Sequence, residues 1–92
     1  MNQTVATIKA ILGKLKRDEL MATQLSDEAD LIDEVGLDSL EMLQFMLEAE
    51  ERLGLQIDFD ALEFDYLRSI RVLAEFLDTM PRKEIQKALG GS

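Results

Sequence analysis

Apolar and polar positions follow a helical period in the first part of the chain. Apolar side chains recur at intervals of three or four residues, at Val5, Ile8, Leu12 and Leu15. This spacing predicts an amphipathic helix over roughly residues 3–17, with one face turned toward a core. Asn2 or Thr4 is suited to cap its first turn.

The following segment, residues 17–36, shows no sustained period. A loop of this length is unusual in a compact domain unless it is packed or functional. We therefore predict an ordered loop, with at most a helical turn, that is fixed to the core by its apolar side chains. Those side chains are Leu25, Leu31, Ile32 and Val35.

Three further helices are predicted after this loop. The second helix begins near Ser39 and ends at Gly54, because glycine commonly terminates a helix. A short third helix is predicted from Asp60, which has capping-box spacing to Glu63. The fourth helix takes Ser69 as its cap. Its apolar face consists of Ile70, Leu73, Ala74 and Leu77.

Together these elements predict an all-α protein, a four-helix bundle with a long first loop and a short third helix. We place the domain at residues 1–80 and a C-terminal tail at residues 81–92. Pro81 fits the first turn of a last short helix, PRKEIQKAL, or opens an irregular tail.

Composition limits the classes of protein to which the chain can belong. Its 92 residues fit one domain, and the apolar fraction of 47% is typical of a globular chain. The absence of cysteine excludes thiol chemistry and agrees with a reducing cytoplasm, which is the expected location. No apolar run has the length of a membrane span, so we expect no membrane partner.

The net charge of −9 is distributed unevenly. Residues 24–66 contain fourteen acids and one base, whereas bases outnumber acids in both flanking segments. The acidic middle segment would repel a phosphate backbone, so no nucleic-acid partner is expected. Two explanations of the charge remain open, namely solubility alone and attraction of basic partners.

The sequence offers little material for catalysis. It contains no histidine, and the lysines nearest to Ser39 in sequence, Lys14 and Lys16, lie on another predicted helix. A calcium loop centred on Gly36 fails, because Leu31 and Met42 would occupy ligand positions. The many carboxylates are typical of a solvated face. We predict no enzymatic activity and no metal site.

The stretch GLDSLEM, residues 36–42, places a serine at the start of the second helix. Asp38 and Glu41 have capping-box spacing, so Asp38 can cap the helix and leave the Ser39 hydroxyl free. Alternatively Ser39 is itself the cap, and the local sequence does not decide between the two. In both cases Ser39 lies at the positive end of the helix dipole, where an attached phosphate is favoured.

These residues resemble the attachment site of acyl and peptidyl carrier proteins. The motif is D-S-L after G-L at the head of an acidic second helix, and the helix order extends the resemblance over roughly residues 5–78. In that family a phosphopantetheinyl transferase links 4′-phosphopantetheine from coenzyme A to the serine hydroxyl, and the terminal thiol carries substrates as thioesters. The resemblance implies that Ser39 is the modified serine, that Asp38 serves transferase recognition, and that Leu40 contacts partners.

The second helix combines a polar ridge with a wide apolar arc. The ridge consists of Glu41, Gln44, Glu48, Glu51 and Arg52, and the apolar arc is wider than a surface helix needs. Either neighbouring helices cover the whole arc, or some of its leucines stay exposed as a partner surface. Given the resemblance we predict the second arrangement. The predicted partner-binding residues are Leu40, Glu41, Leu43, Gln44, Leu47, Glu48 and Glu51.

Departures from the family pattern bear on the pathway. Fatty-acid carriers commonly have an acid after D-S-L, as Glu41 is here, but their third-helix region is richer in acids. In this chain that region is bulkier, through Phe59, Phe64, Tyr66 and Arg68. This region is similar to that of freestanding carriers of polyketide, nonribosomal-peptide or D-alanyl pathways.

We therefore predict a discrete, monomeric carrier of secondary metabolism. Its expected partners are a phosphopantetheinyl transferase, an adenylating enzyme or acyltransferase that loads it, and a downstream synthase. A carrier of fatty-acid synthesis or of D-alanine is the alternative. A helical interaction module that is never modified is the alternative from another class.

Overall fold

The computed structural model describes residues 2–83, which form an all-helical domain. Its α-helices are α1 (Gln3–Leu15), α2 (Met21–Gln24), α3 (Ser39–Leu53) and α4 (Ile70–Asp78). A 3-10 helix, Phe64–Arg68, precedes α4. The predicted four-helix bundle is confirmed, with the 3-10 helix as its short third helix and α2 as the helical turn within the first loop.

Helix α1 occupies the centre of the bundle, because α2, α3 and α4 all pack against it. Asn2 caps it through its side-chain oxygen, which accepts hydrogen bonds from the amides of Thr4 at 2.8 Å and Val5 at 3.2 Å. The predicted apolar face is buried through Val5, Ile8 and Leu12, while Leu15 at the end of the helix is partly buried.

The other elements contribute their apolar faces to the same core. Phe45 is fully buried on α3, and all four predicted face residues of α4 are buried. Ser69 caps α4 as predicted, since its hydroxyl accepts a hydrogen bond from the Val72 amide at 3.4 Å. Gly54 ends α3 in the left-handed conformation, with φ of 66°, which glycine adopts at little cost.

The long first loop is ordered, as its apolar residues predict. Leu31 and Val35 are buried, and the Leu31 amide donates to the Leu67 carbonyl at 3.0 Å. The Ile70 amide donates in turn to the Ala29 carbonyl at 3.0 Å. These backbone bonds join the loop to the 3-10 helix and to the start of α4, so the loop holds the chain in position just before α3.

The predicted start of the third helix at Asp60 is wrong. The Asp58 carboxylate accepts a hydrogen bond from the Asp60 amide at 3.0 Å, and the Ala61 amide donates to the Asp58 carbonyl at 3.1 Å. These local bonds make a turn at the position where a helix was expected. The helix begins after Glu63, whose side chain makes no capping hydrogen bond.

Residues 81–83 lie in an extended segment beside the end of α3, so Pro81 does not begin a helix. Leu55 and Arg82 form an isolated antiparallel bridge, and the Gln56 amide donates to the Pro81 carbonyl at 2.9 Å. The rest of the predicted last helix lies outside the described residues. Within residues 2–83, no helix has the length and apolar character needed to cross a membrane.

Candidate functional site

The turn that leads into α3 is set by one glycine and one buried leucine. Gly36 has φ of 78°, in the left-handed region that disfavours residues with a side chain. Leu37 then enters the core, and its amide donates to the Leu31 carbonyl at 3.1 Å. The chain therefore leaves the core at Asp38, whose backbone is extended and whose side chain is exposed.

Asp38 caps α3 through a reciprocal capping box. Its carboxylate accepts a hydrogen bond from the Glu41 amide at 2.7 Å, and the Glu41 carboxylate accepts one from the Asp38 amide at 3.1 Å. Two backbone donors of the first turn are thus satisfied by two side chains. The alternative in which Ser39 caps the helix is excluded.

Ser39 is the first residue of α3, and its hydroxyl is free and exposed. Among residues 2–83, its hydroxyl oxygen has no hydrogen-bond partner. The other serines of this region are engaged, because Ser26 accepts from the Glu28 amide at 3.0 Å and Ser69 caps α4. The first amides of α3 have no intrahelical acceptor, so the helix end favours a phosphate on that hydroxyl.

Lys16, at the end of α1, reaches this turn. Its ammonium donates to the Glu41 carboxylate at 2.8 Å and to the Gly36 carbonyl at 2.9 Å. The pKa of Glu41 lies below its ordinary value, first because of the hydrogen bond from Lys16 and second because of the one from the Asp38 amide. Glu41 therefore stays ionised, and the Lys16 ammonium is directed to Glu41 and Gly36.

The apolar arc of α3 is only partly covered by neighbouring helices. Phe45, Met46 and Ala49 are buried, whereas the side chains of three leucines project into solvent. Leu40 is 63% exposed, Leu43 is 51% exposed and Leu47 is 54% exposed. The arrangement in which neighbours cover the whole arc is excluded, and a stripe of these three leucines runs along the helix from Ser39.

The polar ridge of α3 is less exposed than the sequence suggests, and it carries less unpaired negative charge. The Glu48 carboxylate accepts hydrogen bonds from Arg52 at 2.8 Å and from Lys14 of α1 at 3.1 Å. These two bonds, that from Arg52 first, lower the pKa of Glu48. Gln44 and Glu51 are exposed, and Glu51 forms no ion pair within residues 2–83. Glu48, predicted as a partner-binding residue, is half-buried here, because α1 and α3 each supply it with a cation.

The described residues contain no arrangement suited to hold a metal ion, and the sequence has no histidine to act as a base for Ser39. A free, unactivated hydroxyl at the start of a long helix is suited to modification by another enzyme. A comparison with protein-family models gives a match over residues 5–77 to the phosphopantetheine attachment site. The chain belongs to this family.

The match covers α2, α3, the first loop and the 3-10 helix completely, and it covers α1 and α4 except for the start of α1 and the last residue of α4. Domains of this family are the attachment site for covalently bound 4′-phosphopantetheine and act as carriers that work with a phosphopantetheinyl transferase and partner enzymes. A search of curated proteins found no match to the chain.

Sequence reasoning missed the role of Lys16 in this site. In the sequence, Lys16 is notable only as a possible base for Ser39 on a separate predicted helix. No spacing rule connects residue 16 to residue 41, because the contact depends on how α1 packs against α3. The left-handed Gly36 was also missed, although a glycine before a capped helix is a signal for such a turn.

The capping geometry predicts different stabilities for two neighbouring alanine variants. Asp38→Ala removes the cap and should lower the free energy of unfolding by about 1 kcal/mol. Ser39→Ala removes an exposed hydroxyl without a partner and should change it by less than about 0.5 kcal/mol. Denaturant melts of both variants measure this difference. A larger loss in Ser39→Ala than in Asp38→Ala would contradict the assigned cap.

Proposed function

We propose that the chain is a discrete carrier in which the Ser39 oxygen bears 4′-phosphopantetheine through a phosphodiester. When bound, this group supplies a terminal thiol that holds an acyl or aminoacyl building block as a thioester. The observation that carries the proposal is the exposed Ser39 hydroxyl, left free because Asp38 performs the capping. In the transfer, a bond forms between the Ser39 oxygen and a phosphorus of coenzyme A, the pyrophosphate bond of coenzyme A breaks, and adenosine 3′,5′-bisphosphate leaves. We expect a base of the transferase to take the serine proton, because the sequence has no histidine and the Asp38 and Glu41 carboxylates are engaged in the capping box.

The stripe of Leu40, Leu43 and Leu47 supports a role of α3 in partner binding. Exposed apolar side chains in a row beside the attachment point offer contact area to the transferase, to a loading enzyme and to a downstream synthase. Gln44 and Glu51 border this stripe with exposed polar groups, whereas Glu41 and Glu48 are half-buried in ion pairs. In this proposal the leucines provide affinity and Glu51 provides most of the local charge.

The third-helix region supports a pathway of secondary metabolism, either polyketide or nonribosomal-peptide synthesis. Phe59 and Phe64 are exposed there, and Arg68 lies over the Phe64 ring at 5.9 Å while pairing with Asp30 and Asp33. This bulky surface is similar to that of freestanding carriers of such pathways. In a cytoplasmic, monomeric carrier it would be open to partner enzymes.

Fatty-acid synthesis is the second candidate pathway. The observation that favours it is Glu41, an acid directly after D-S-L. Here, however, Glu41 is bound to Lys16 and to the Asp38 amide, which gives it a local structural role. The acid at this position therefore distinguishes weakly between the two pathways.

Covalent modification tests the proposed function directly. Incubation with a broad-specificity phosphopantetheinyl transferase and coenzyme A should add one phosphopantetheine to the wild type and none to Ser39→Ala, as measured by intact mass. A wild type that gains no mass would support the unmodified interaction module instead. The mass of the cargo on the protein isolated from its host distinguishes the pathways.

The exposed residues of α3 predict separate effects on the association and dissociation rate constants of partner binding. Glu51→Lys should slow association with a basic transferase about two- to fivefold at low salt, because it reverses an unpaired charge. The difference should shrink as salt rises, since exposed charges are screened over about 8 Å at physiological ionic strength. Leu47→Ala should mainly speed dissociation, because it removes contact area. Stopped-flow kinetics at two salt concentrations measures both.

The control is Glu75→Lys, which makes the same change of formal charge on α4 and also breaks the exposed pair of Glu75 with Arg71 at 3.2 Å. Circular dichroism establishes that each variant is folded. If Glu51→Lys and Glu75→Lys change the association rate equally, net charge alone governs the encounter. The polar ridge of α3 would then serve solubility only.

A further inference from the structure

The turn that presents Ser39 is bound to α1 by one side chain. The Lys16 ammonium donates to the Gly36 carbonyl at 2.9 Å and to an oxygen of the Glu41 carboxylate at 2.8 Å. The same carboxylate oxygen accepts the hydrogen bond from the Asp38 amide at 3.1 Å. One cation thus contacts the residues on both sides of Leu37–Leu40, and Ser39 lies within the segment so enclosed.

We propose that Lys16 is a positioning residue that holds the Ser39 turn in the conformation a modifying enzyme must recognise. The inference rests on the proposed modification of Ser39. It adds to the proposed function a group on α1 that lies far from Ser39 in sequence and does no chemistry.

Lys16 is well placed for this role because its own backbone is fixed. It is the C-terminal cap residue of α1, and its amide donates to the Leu12 carbonyl at 3.0 Å. The chain then reverses at Arg17, where φ is 54°. The side chains of Lys16 and Glu41 are only 24% and 23% exposed, so their pairing is better shielded from solvent than a typical surface ion pair.

The turn depends on this contact more than a regular helix would. Gly36 is in the left-handed region of an irregular segment, and within residues 2–83 the hydrogen bond from Lys16 is the one that its carbonyl accepts. Without the ammonium, the Glu41 carboxylate would keep only its hydrogen bond from the Asp38 amide. Glu41 would then be free to leave the Asp38 amide, and the capping box would loosen.

The other lysines of α1 make ion pairs elsewhere. Lys9 pairs with Asp27 of the first loop at 2.6 Å, and Lys14 pairs with Glu48 in the middle of α3 at 3.1 Å. Of the basic residues within 2–83, Lys16 is the one whose side chain contacts the segment from Gly36 to Glu41. This difference supplies a matched control on the same helix.

The test compares three variants, Lys16→Met, Lys16→Arg and Lys9→Met. Circular dichroism first establishes that each is folded, and each is assayed well below its melting temperature. In Lys16→Met the KM of the transferase for the carrier should rise about three- to tenfold with kcat within about twofold, because a smaller fraction of the protein has the competent turn. The Asp38 amide should then be open most of the time, so its hydrogen exchange should approach the rate of an unprotected amide. Lys16→Arg should restore both values substantially, and Lys9→Met should leave both unchanged.

Two results would overturn the inference. One is a Lys16→Met variant that matches Lys9→Met in both KM and exchange. The other is faster exchange at Asp38 with an unchanged KM, which would make the contact structural only. If the transferase fails to modify even the wild type, the proposed function is wrong, and exchange at Asp38 alone then decides whether Lys16 holds the turn.

Discussion

The capping box between Asp38 and Glu41 is the interaction on which the site depends. It satisfies two amides at the start of α3, those of Asp38 and Glu41, with side chains on either side of Ser39, so the serine hydroxyl is not needed as a cap. Had Ser39 been the cap, its oxygen would be directed at the backbone of its own helix. Asp38 thus caps the helix while the neighbouring Ser39 exposes its hydroxyl, which remains free to react.

The charged side chains of the protein form ion pairs that join its helices and its first loop, which the net charge does not reveal. The acidic segment 24–66 receives cations from the basic segments on both sides, and these pairs join α1, the first loop, α3 and α4. Each exposed pair contributes little by itself, so their main effect is on which surfaces keep free charge. Within the part of the chain that the structure describes, the half-buried Glu41 and Glu48 are paired, and Glu51 is not. The pairs are Lys9–Asp27, Lys14–Glu48, Lys16–Glu41, Arg68 with Asp30 and Asp33, and Arg71–Glu28.

Periodicity and capping rules predicted most of the fold, because they act over one or two turns of chain. They identified α1, the limits of α3 at Ser39 and Gly54, and the Ser69 cap of α4. They failed at Asp60, where Asp58 competes for the same amide and makes a turn. They could not find the contact of Lys16 with Glu41, since that contact is created by helix packing across 25 residues of sequence. The Ser39 site was therefore predictable as a sequence motif, but the contact of Lys16 that holds its turn was not.

Locating the added group within the wild-type chain tests the central claim most directly. After treatment with transferase and coenzyme A, fragment-ion mass spectrometry assigns the phosphopantetheine to a residue. The account predicts that all of it lies on Ser39, because the Ser26 and Ser69 hydroxyls are held in local hydrogen bonds. Attachment at Ser26, at Ser69 or at any residue other than Ser39 would contradict the claim that the cap at Asp38 frees the reactive hydroxyl.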